Sequence, residues 1–140
     1  MTTLFKKLNY KSQNPIHLIN YPLEFEQEKM EMQNFVPFKY EIKEGEPVSF
    51  ILVFVKSKIE INDYFAAFHT LLIEDAVVWF AFPKGTSKKY KSEISRDKGW
   101  DLLTENNFET VRAIAIDEDW SALRFRNKKY IKLLTRKKAL

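Results

Sequence analysis

Two uninterrupted apolar runs dominate the pattern of hydrophobic and polar positions along this chain. They are Val48–Val55 and Ala76–Phe82, and both are rich in β-branched and aromatic residues. Each run is too short for a typical helix and lacks polar alternation, so we interpret both as strands buried on two faces, as in a parallel sheet. Between them, apolar residues recur at helical spacing, which predicts an amphipathic helix over about Glu60–Ile73.

Weaker patterns predict further elements on either side of these runs. Ile16–Tyr21 is typical of a short strand, and the Glu- and Met-rich segment Leu23–Gln33 favours a helix after it. Polar and apolar residues alternate over Phe38–Ile42, which indicates a half-exposed strand near a sheet edge. After the second apolar run, a helix is expected to begin at a serine cap and to end at about Asn107.

The predicted sheet ends in a hairpin. Val111–Asp117 is a third apolar strand, and Trp120–Arg126 follows it across a short acidic turn, as in an antiparallel pair. The complete order of elements predicts an α/β fold, a Rossmann-like three-layer sandwich whose sheet is mostly parallel with a C-terminal antiparallel hairpin. We assign residues 1–126 to this single domain and residues 127–140 to a basic C-terminal tail or short helix.

Basic residues are concentrated at the C-terminal end of the chain. There are 23 Lys and Arg against 19 Asp and Glu, a net charge of +4, and eight of the basic residues lie between Arg124 and Leu140, where there is no acid. Such an end can contact nucleic-acid phosphates, with Tyr130 available to stack on a base. Because Arg124 and Arg126 also fit a half-exposed strand, nucleic-acid binding through the basic C-terminus is an alternative and not the leading interpretation.

The residue counts exclude several chemistries. The chain has no Cys, which excludes disulfides, thiolate nucleophiles and Cys-based zinc sites. Its two histidines, His17 and His69, lie far apart, and its three glycines are too scattered for a phosphate-binding loop. We therefore assign no metal and no cofactor. Because there is neither a signal peptide nor an apolar run of ~18 residues, we expect a cytoplasmic protein without membrane contact.

In open α/β sheets, ligands bind outside the carboxyl ends of the parallel strands. Four predicted strand ends, near Asn20, Lys56, Pro83 and Asp117, therefore point to one rim. The lysine-rich loop 84–91 leads to a predicted helix start, where free amides favour an anion. The candidate ligand-binding residues at this rim are Lys84, Lys88, Arg96, Asp117, Trp120 and Ser121.

The leading interpretation from these residues is a binding or interaction module. Its rim would take an anionic small molecule or a protein partner, with Lys84, Lys88 and Arg96 supplying positive charge and Trp120 a flat contact. No catalytic residue is assigned, and an enzyme is not the favoured interpretation.

Several motifs in the C-terminal half resemble a bacterial family of short α/β proteins that is known as a domain of unknown function. The motifs are aromatic-Pro-Lys at Phe82-Pro83-Lys84, Arg-Asp at Arg96-Asp97, and Asp-x-x-Trp-Ser, which here ends in Trp120-Ser121. The resemblance covers about residues 48–126. It implies no activity, but it implies that these positions are characteristic of the family.

The strand, helix and hairpin at the end of the chain also resemble Rossmann-like methyltransferases, whose last strand is antiparallel and inserts beside its neighbours. This resemblance implies a second alternative, a degenerate S-adenosylmethionine-dependent methyltransferase-like protein. The first strand–helix turn, Asn20-Tyr21-Pro22-Leu23, departs from the pattern because it lacks the glycines that a methyl-donor site usually uses.

Overall fold

The structure, a computed structural model, describes residues 1–131 and arranges them around one six-stranded sheet. The strands are β1 (Ile16–Ile19), β2 (Phe38–Lys39), β3 (Val48–Phe54), β4 (Leu72–Pro83), β5 (Phe108–Ala115) and β6 (Trp120–Asn127). Their order across the sheet is β2-β1-β3-β4-β6-β5. The pairs from β2 to β4 are parallel, whereas β6 runs antiparallel to β4 and β5. The predicted fold class, a Rossmann-like sandwich with a C-terminal antiparallel hairpin, is confirmed.

Helices cover both faces of the sheet. They are α1 (Thr3–Lys7), α2 (Glu26–Met32), α3 (Lys58–Phe68) and α4 (Asp101–Glu105), and short 3-10 turns at Leu23–Phe25 and His69–Leu71 precede α2 and follow α3.

Alternate residues of the central strands supply two separate cores, because successive side chains of a strand point to opposite faces. On what we call the first face, Leu52 and Trp79 pack with residues of α1 and α2. On the second face, Val53 and Phe80 pack with residues of α3 and α4. The runs predicted as doubly buried strands are therefore buried as expected.

The first helix, α1, was not anticipated from the sequence. The hydroxyl of Thr2 caps it by accepting a hydrogen bond from the Phe5 amide at 3.3 Å. Phe5 and Leu8 are fully buried on the first face, and the Leu8 carbonyl accepts a hydrogen bond from Trp79 Nε1 at 2.8 Å. Two anchoring residues in so short a segment are too few to produce a recognisable helical period.

The helix predicted up to Asn107 is wrong over most of its length, since only Asp101–Glu105 is helical. A tight turn precedes it, in which the Ser95 amide donates to the Lys98 carbonyl at 3.1 Å. Gly99 follows with φ of +113°, a left-handed conformation that an α-helix cannot contain. The chain from Lys84 to this glycine is therefore a long irregular segment.

The outer hairpin differs from the prediction in its burial. β5 was predicted from an apolar run, yet every one of its residues is at least partly exposed. The reason is that β6 inserts between β4 and β5, so β6 takes the buried position and β5 becomes an edge. At the opposite edge, the predicted strand Phe38–Ile42 is reduced to the two residues of β2.

The chain continues beyond β6 with residues 128–131 in helical geometry. The remainder of the predicted basic tail, residues 132–140, lies outside the described residues. Among residues 1–131, no helix is both long and apolar enough to cross a membrane.

Candidate functional site: the strand-end cleft

The carboxyl ends of β1, β3, β4 and β5 lie at one end of the sheet, and the loops that follow them are connected. The Lys84 amide donates to the Asp119 carbonyl at 2.8 Å, and the Ser87 hydroxyl donates to Asp119 Oδ1 at 2.8 Å. These two hydrogen bonds tie the segment after β4 to the turn of the outer hairpin.

A cleft of about 490 Å³ opens at this end of the sheet. We call it the strand-end cleft, and its walls combine four aromatic residues with charged side chains. The residues on which its chemistry depends are Tyr21, Glu24, Lys56, Glu60, Tyr90 and Trp120.

Asn20 shapes the floor of the cleft at the end of β1. Its φ is +59°, a left-handed conformation in which asparagine is tolerated better than most residues. Its Nδ2 donates to the Phe54 carbonyl at 2.8 Å and to Glu60 Oε2 at 3.0 Å. One side chain therefore joins the ends of β1 and β3 to the start of α3.

Glu60 is held by the capping arrangement of α3. The Ser57 hydroxyl accepts a hydrogen bond from the Glu60 amide at 3.1 Å, and Glu60 Oε1 accepts one from the Lys56 amide at 2.8 Å. These contacts fix a carboxylate at the edge of the cleft.

The opposite wall is formed by the segment after β4. The Tyr90 hydroxyl donates to Glu24 Oε1 at 2.7 Å, Lys89 Nζ lies 3.2 Å from Glu24 Oε2, and Lys56 Nζ lies 4.7 Å from the centre of the Tyr90 ring. Burial raises the pKa of Glu24, but hydrogen bonds from Tyr90 and Lys89 outweigh it, so this pKa is lowered overall. The hydrogen bond to Glu24 raises the pKa of Lys89.

Trp120 forms the base of the cleft at the start of β6. Its ring centroid lies 5.0 Å from that of Phe54 and 5.0 Å from that of Tyr90. The side chain is 1% exposed, and its Nε1 is buried without a hydrogen-bond partner among the described residues. A buried donor that lacks a partner is costly to the folded state.

The structure brings only part of the predicted ligand-binding set to this cleft. Trp120 lines it, whereas Lys84 is not among its lining residues, and the Lys84 amide donates to the Asp119 carbonyl. Asp117 instead serves the hairpin turn, because its Oδ1 accepts hydrogen bonds at 2.8 Å from the amides of Asp119 and Trp120. Lys88 is exposed, and the neighbouring Lys89 makes the contact with the cleft.

Arg96 and Ser121 lie elsewhere. Both line a shallow hollow of about 250 Å³ on the second face, with Phe82 and Ala113. The prediction grouped Arg96 with the lysine loop because it placed a helix start between them. Since no helix begins there, the argument for an anion at that helix start is also wrong.

Sequence reasoning did not select Tyr21, Glu24, Glu60 or Tyr90. For Glu60 a local signal existed, because Ser57-Lys58-Ile59-Glu60 has the Ser-x-x-Glu spacing of a capping box. Tyr90 and Glu24 are far apart in the sequence, and no local pattern predicts that they meet. Among residues 1–131, no group of three or more metal-ligating side chains is placed to hold a metal ion.

Comparison with known proteins identifies methyltransferases as structural neighbours. The N-methyltransferase NodS of Bradyrhizobium japonicum WM9 superposes with a TM-score of 0.57 at 13% identity, over 89% of this chain and 93% of that one. A SAM-dependent methyltransferase of Aquifex aeolicus gives 0.60 at 8% identity, over 88% and 87%. A ribosomal protein L11 methylase of Lactobacillus delbrueckii subsp. bulgaricus gives 0.53 at 11%, over 88% and 76%. No family model and no curated protein matches the chain by sequence.

These neighbours overturn the leading interpretation from the sequence. A binding or interaction module for an anionic ligand or protein partner was predicted, and that prediction is wrong in favour of the methyltransferase-like alternative. At these identities the comparisons establish the fold. The chain has the Rossmann-like fold of its methyltransferase neighbours.

Proposed function

We propose that this protein is a degenerate S-adenosylmethionine-dependent methyltransferase-like protein that holds the methyl donor in the strand-end cleft. The observation that carries the proposal is the position of this cleft, which opens outside the carboxyl ends of β1 and β3 and offers flat rings and carboxylates.

The aromatic rings suit the nucleoside part of this cofactor. Tyr90 and Trp120 are near neighbours at the base of the cleft, and Tyr21 lies in its wall. Flat side chains favour stacking against an adenine ring.

The charged residues suit the amino-acid part. S-adenosylmethionine carries a sulfonium, an ammonium and a carboxylate. Glu24 and Glu60 supply acceptors for its cationic groups and hydroxyls, and Lys56 and Lys89 supply donors for its carboxylate. In the structure Lys89 pairs with Glu24, and Lys56 lies over the Tyr90 ring. A bound ligand would replace these contacts with equivalent ones.

The turn after β1 is where this chain departs from the usual methyl-donor site. Glycine is absent from Asn20-Tyr21-Pro22, and Pro22 also lacks an amide donor. Asn20 nevertheless adopts a left-handed φ that glycine favours, so the turn keeps a tight course while placing side chains where glycine leaves space. For this reason we describe the site as degenerate.

The bound cofactor supplies an electrophilic methyl group on its sulfonium. The residues of this chain would position it: Glu24 and Glu60 would orient the cationic end, and the rings of Tyr90 and Trp120 would hold the nucleoside.

The direct test is calorimetric titration of the full chain with S-adenosylmethionine and with S-adenosylhomocysteine. Glu24→Gln and Glu60→Gln should each weaken binding about tenfold, because each removes a charged acceptor. Glu74→Gln is the matched control, since Glu74 is exposed and lies outside the cleft.

Absence of heat with both compounds at millimolar concentration would show that the proposal is wrong. Equal losses in the two cleft variants and in Glu74→Gln would also contradict it, because the effect would then follow net charge and not the site. Adenosine and methionine, titrated separately, show which half of the cofactor the cleft recognises.

We also propose that the chain belongs with the bacterial family of short α/β proteins that it resembles over about residues 48–126, and that it acts in the cytoplasm. Detection of the protein in the soluble fraction of its native cells, without export, tests the location.

A further inference from the structure

Two arginines face each other across the outer hairpin. The register of β5 and β6 places Arg112 directly opposite Arg124, and Arg124 in turn lies opposite Trp79 of β4. Trp79 belongs to the first-face core, so both arginines lie on the first face of the sheet. Arg112 is exposed and Arg124 is half-buried.

The charges of this pair are unmatched. Among the described residues neither arginine has an ion-pair partner, and Arg124 Nε is buried without a hydrogen bond. Burial lowers the pKa of Arg124, and the charges of Arg126 and Arg112 lower it further against the opposing effect of Asp75. Like charges directly opposite each other destabilise a sheet, so nothing in the strand pairing itself accounts for this arrangement.

The nearby acids are already occupied. Asp75 accepts two hydrogen bonds from Arg126, from Nε at 2.8 Å and from Nη2 at 2.6 Å. Glu109 lies 3.6 Å from Lys128 Nζ. Residues 132–140 contain no Asp or Glu, so no acidic side chain in that part of the sequence is available either.

Further positive charge lies on other elements of the fold. The segment that carries α1 packs on the same face over Trp79, and its lysines Lys6, Lys7 and Lys11 are all exposed. At the other side, the Tyr130 ring lies 6.0 Å from the Arg126 guanidinium and 5.0 Å from Lys129 Nζ. The basic surface of the outer hairpin consists of two arginines without an acidic partner among the described residues, with Lys129 and the Tyr130 ring beyond the end of β6.

We infer that this surface binds a single-stranded nucleic acid, with the phosphodiester backbone lying across Arg112 and Arg124. The guanidinium fork matches phosphate oxygens, and two such forks on adjacent strands can each take a phosphate. A strand exposed along its whole length offers a flat track for a flexible backbone, and Tyr130 offers a ring on which a base can stack. Arg124 lies four residues along β6 from Trp120, a distance of about 13 Å. The surface is therefore distinct from the strand-end cleft.

The inference is tested by fluorescence anisotropy of a labelled oligouridine with the full chain at low salt. The variant Arg112→Gln with Arg124→Gln should bind at least about tenfold more weakly. The slope of the logarithm of its binding constant against the logarithm of salt concentration should also become shallower. The expected change is about 0.7 for each phosphate that the variant no longer neutralises. Arg96→Gln with Lys98→Gln removes the same charge from exposed positions away from this surface and should bind like the unmodified protein.

Arg112→Gln alone is the second variant, because Arg112 is exposed and its replacement does not disturb the core. A several-fold loss of affinity is expected from it, with a melting temperature no lower than that of the unmodified protein, because the variant also removes the repulsion between two like charges. This keeps the test decisive if the half-buried Arg124 proves necessary for folding.

Several outcomes would overturn the inference. One is the absence of oligouridine binding at low salt, and another is an equal loss of affinity in the two double variants. Replacement of Lys132, Arg136, Lys137 and Lys138 by Gln addresses the C-terminal segment. If that change abolishes binding while Arg112→Gln with Arg124→Gln leaves it intact, the phosphates contact the segment and not the sheet. Binding only to vesicles that contain anionic lipid would equally refute a nucleic-acid surface.

Discussion

The hydroxyl of Tyr90 donates a hydrogen bond to the carboxylate of Glu24 at 2.7 Å, and this contact joins the segment after β4 to the turn after β1. The two residues stand on opposite walls of the strand-end cleft. The width of the cleft therefore depends on a contact between parts of the chain that are distant in sequence.

Tyr90→Phe and Tyr90→Leu separate the two roles of this side chain. The phenylalanine variant keeps the ring beside Trp120 and loses only the hydrogen bond, so S-adenosylhomocysteine should bind within a few-fold of the unmodified protein. The leucine variant loses the ring and should bind about tenfold more weakly. Calorimetry measures both, and equal affinities for the two variants would argue against stacking on this ring.

Asn20 offers a test of the turn without glycine. Asn20→Gly keeps the backbone at a φ of +59° and removes the side-chain hydrogen bonds to Phe54 and Glu60, whereas Asn20→Ala removes the same hydrogen bonds and also strains the backbone. Urea denaturation should therefore show Asn20→Ala to be the less stable variant, by about 1 kcal/mol. If Asn20→Gly proves no more stable than Asn20→Ala, this account of the turn is wrong.

Gly99 should tolerate no side chain. A Cβ added there would lie 2.5 Å from Ile94 Cγ2, and its φ of +113° strains any other residue. Gly99→Ala should destabilise the protein by about 2 kcal/mol or more, measured by chemical denaturation. Gly85→Ala is the control, because nothing lies within 4 Å of the added atom, and it should change stability by less than about 0.5 kcal/mol.

His17 should make the stability of the protein depend on pH. The side chain is 1% exposed in the middle of β1, and neither ring nitrogen has a hydrogen-bond partner among the described residues. Burial lowers its pKa, Glu46 opposes this and Lys39 adds to it. The folded protein therefore keeps His17 neutral at a pH where the unfolded chain, with a usual pKa of about 6.5, already binds a proton.

Since the unfolded state binds more protons in this window, the free energy of unfolding should fall as the pH drops below about 6.5, by up to about 1.4 kcal/mol per pH unit. Urea denaturation at a series of pH values measures the decrease. His17→Leu should flatten the profile of unfolding free energy against pH. If His17→Leu leaves the dependence of stability on pH unchanged, other groups cause that dependence.

The central strands could be predicted from the sequence because their environment is uniform. A strand covered on both faces, such as Val48–Phe54, must be apolar at nearly every position, and that requirement is visible locally. The insertion of β6 is different, because Phe108–Ala115 and Trp120–Asn127 have similar compositions and only their pairing decides which one is buried.

The candidate site was predictable only in its position at the strand ends. Trp120 could be predicted because the topology places it there, whereas Tyr90 enters the cleft through the irregular segment after β4, whose course no local pattern predicts. Further along, Gly99 interrupts the helix that was expected there. A single left-handed residue is enough to replace a helix with an irregular segment, and residue propensities do not reveal such a position.

The inserted position of β6 also constrains how the molecule assembles. β4 carries fully buried residues such as Trp79 and Phe80, yet one of its edges is paired only by β6, the last strand of the sheet along the chain. Until β6 docks, that edge offers open backbone groups beside a large aromatic surface, which is a template for pairing with another chain. The closing step is thus the association of distant segments, which is slow compared with local contacts. The protein is therefore most prone to aggregation before β6 has docked onto β4.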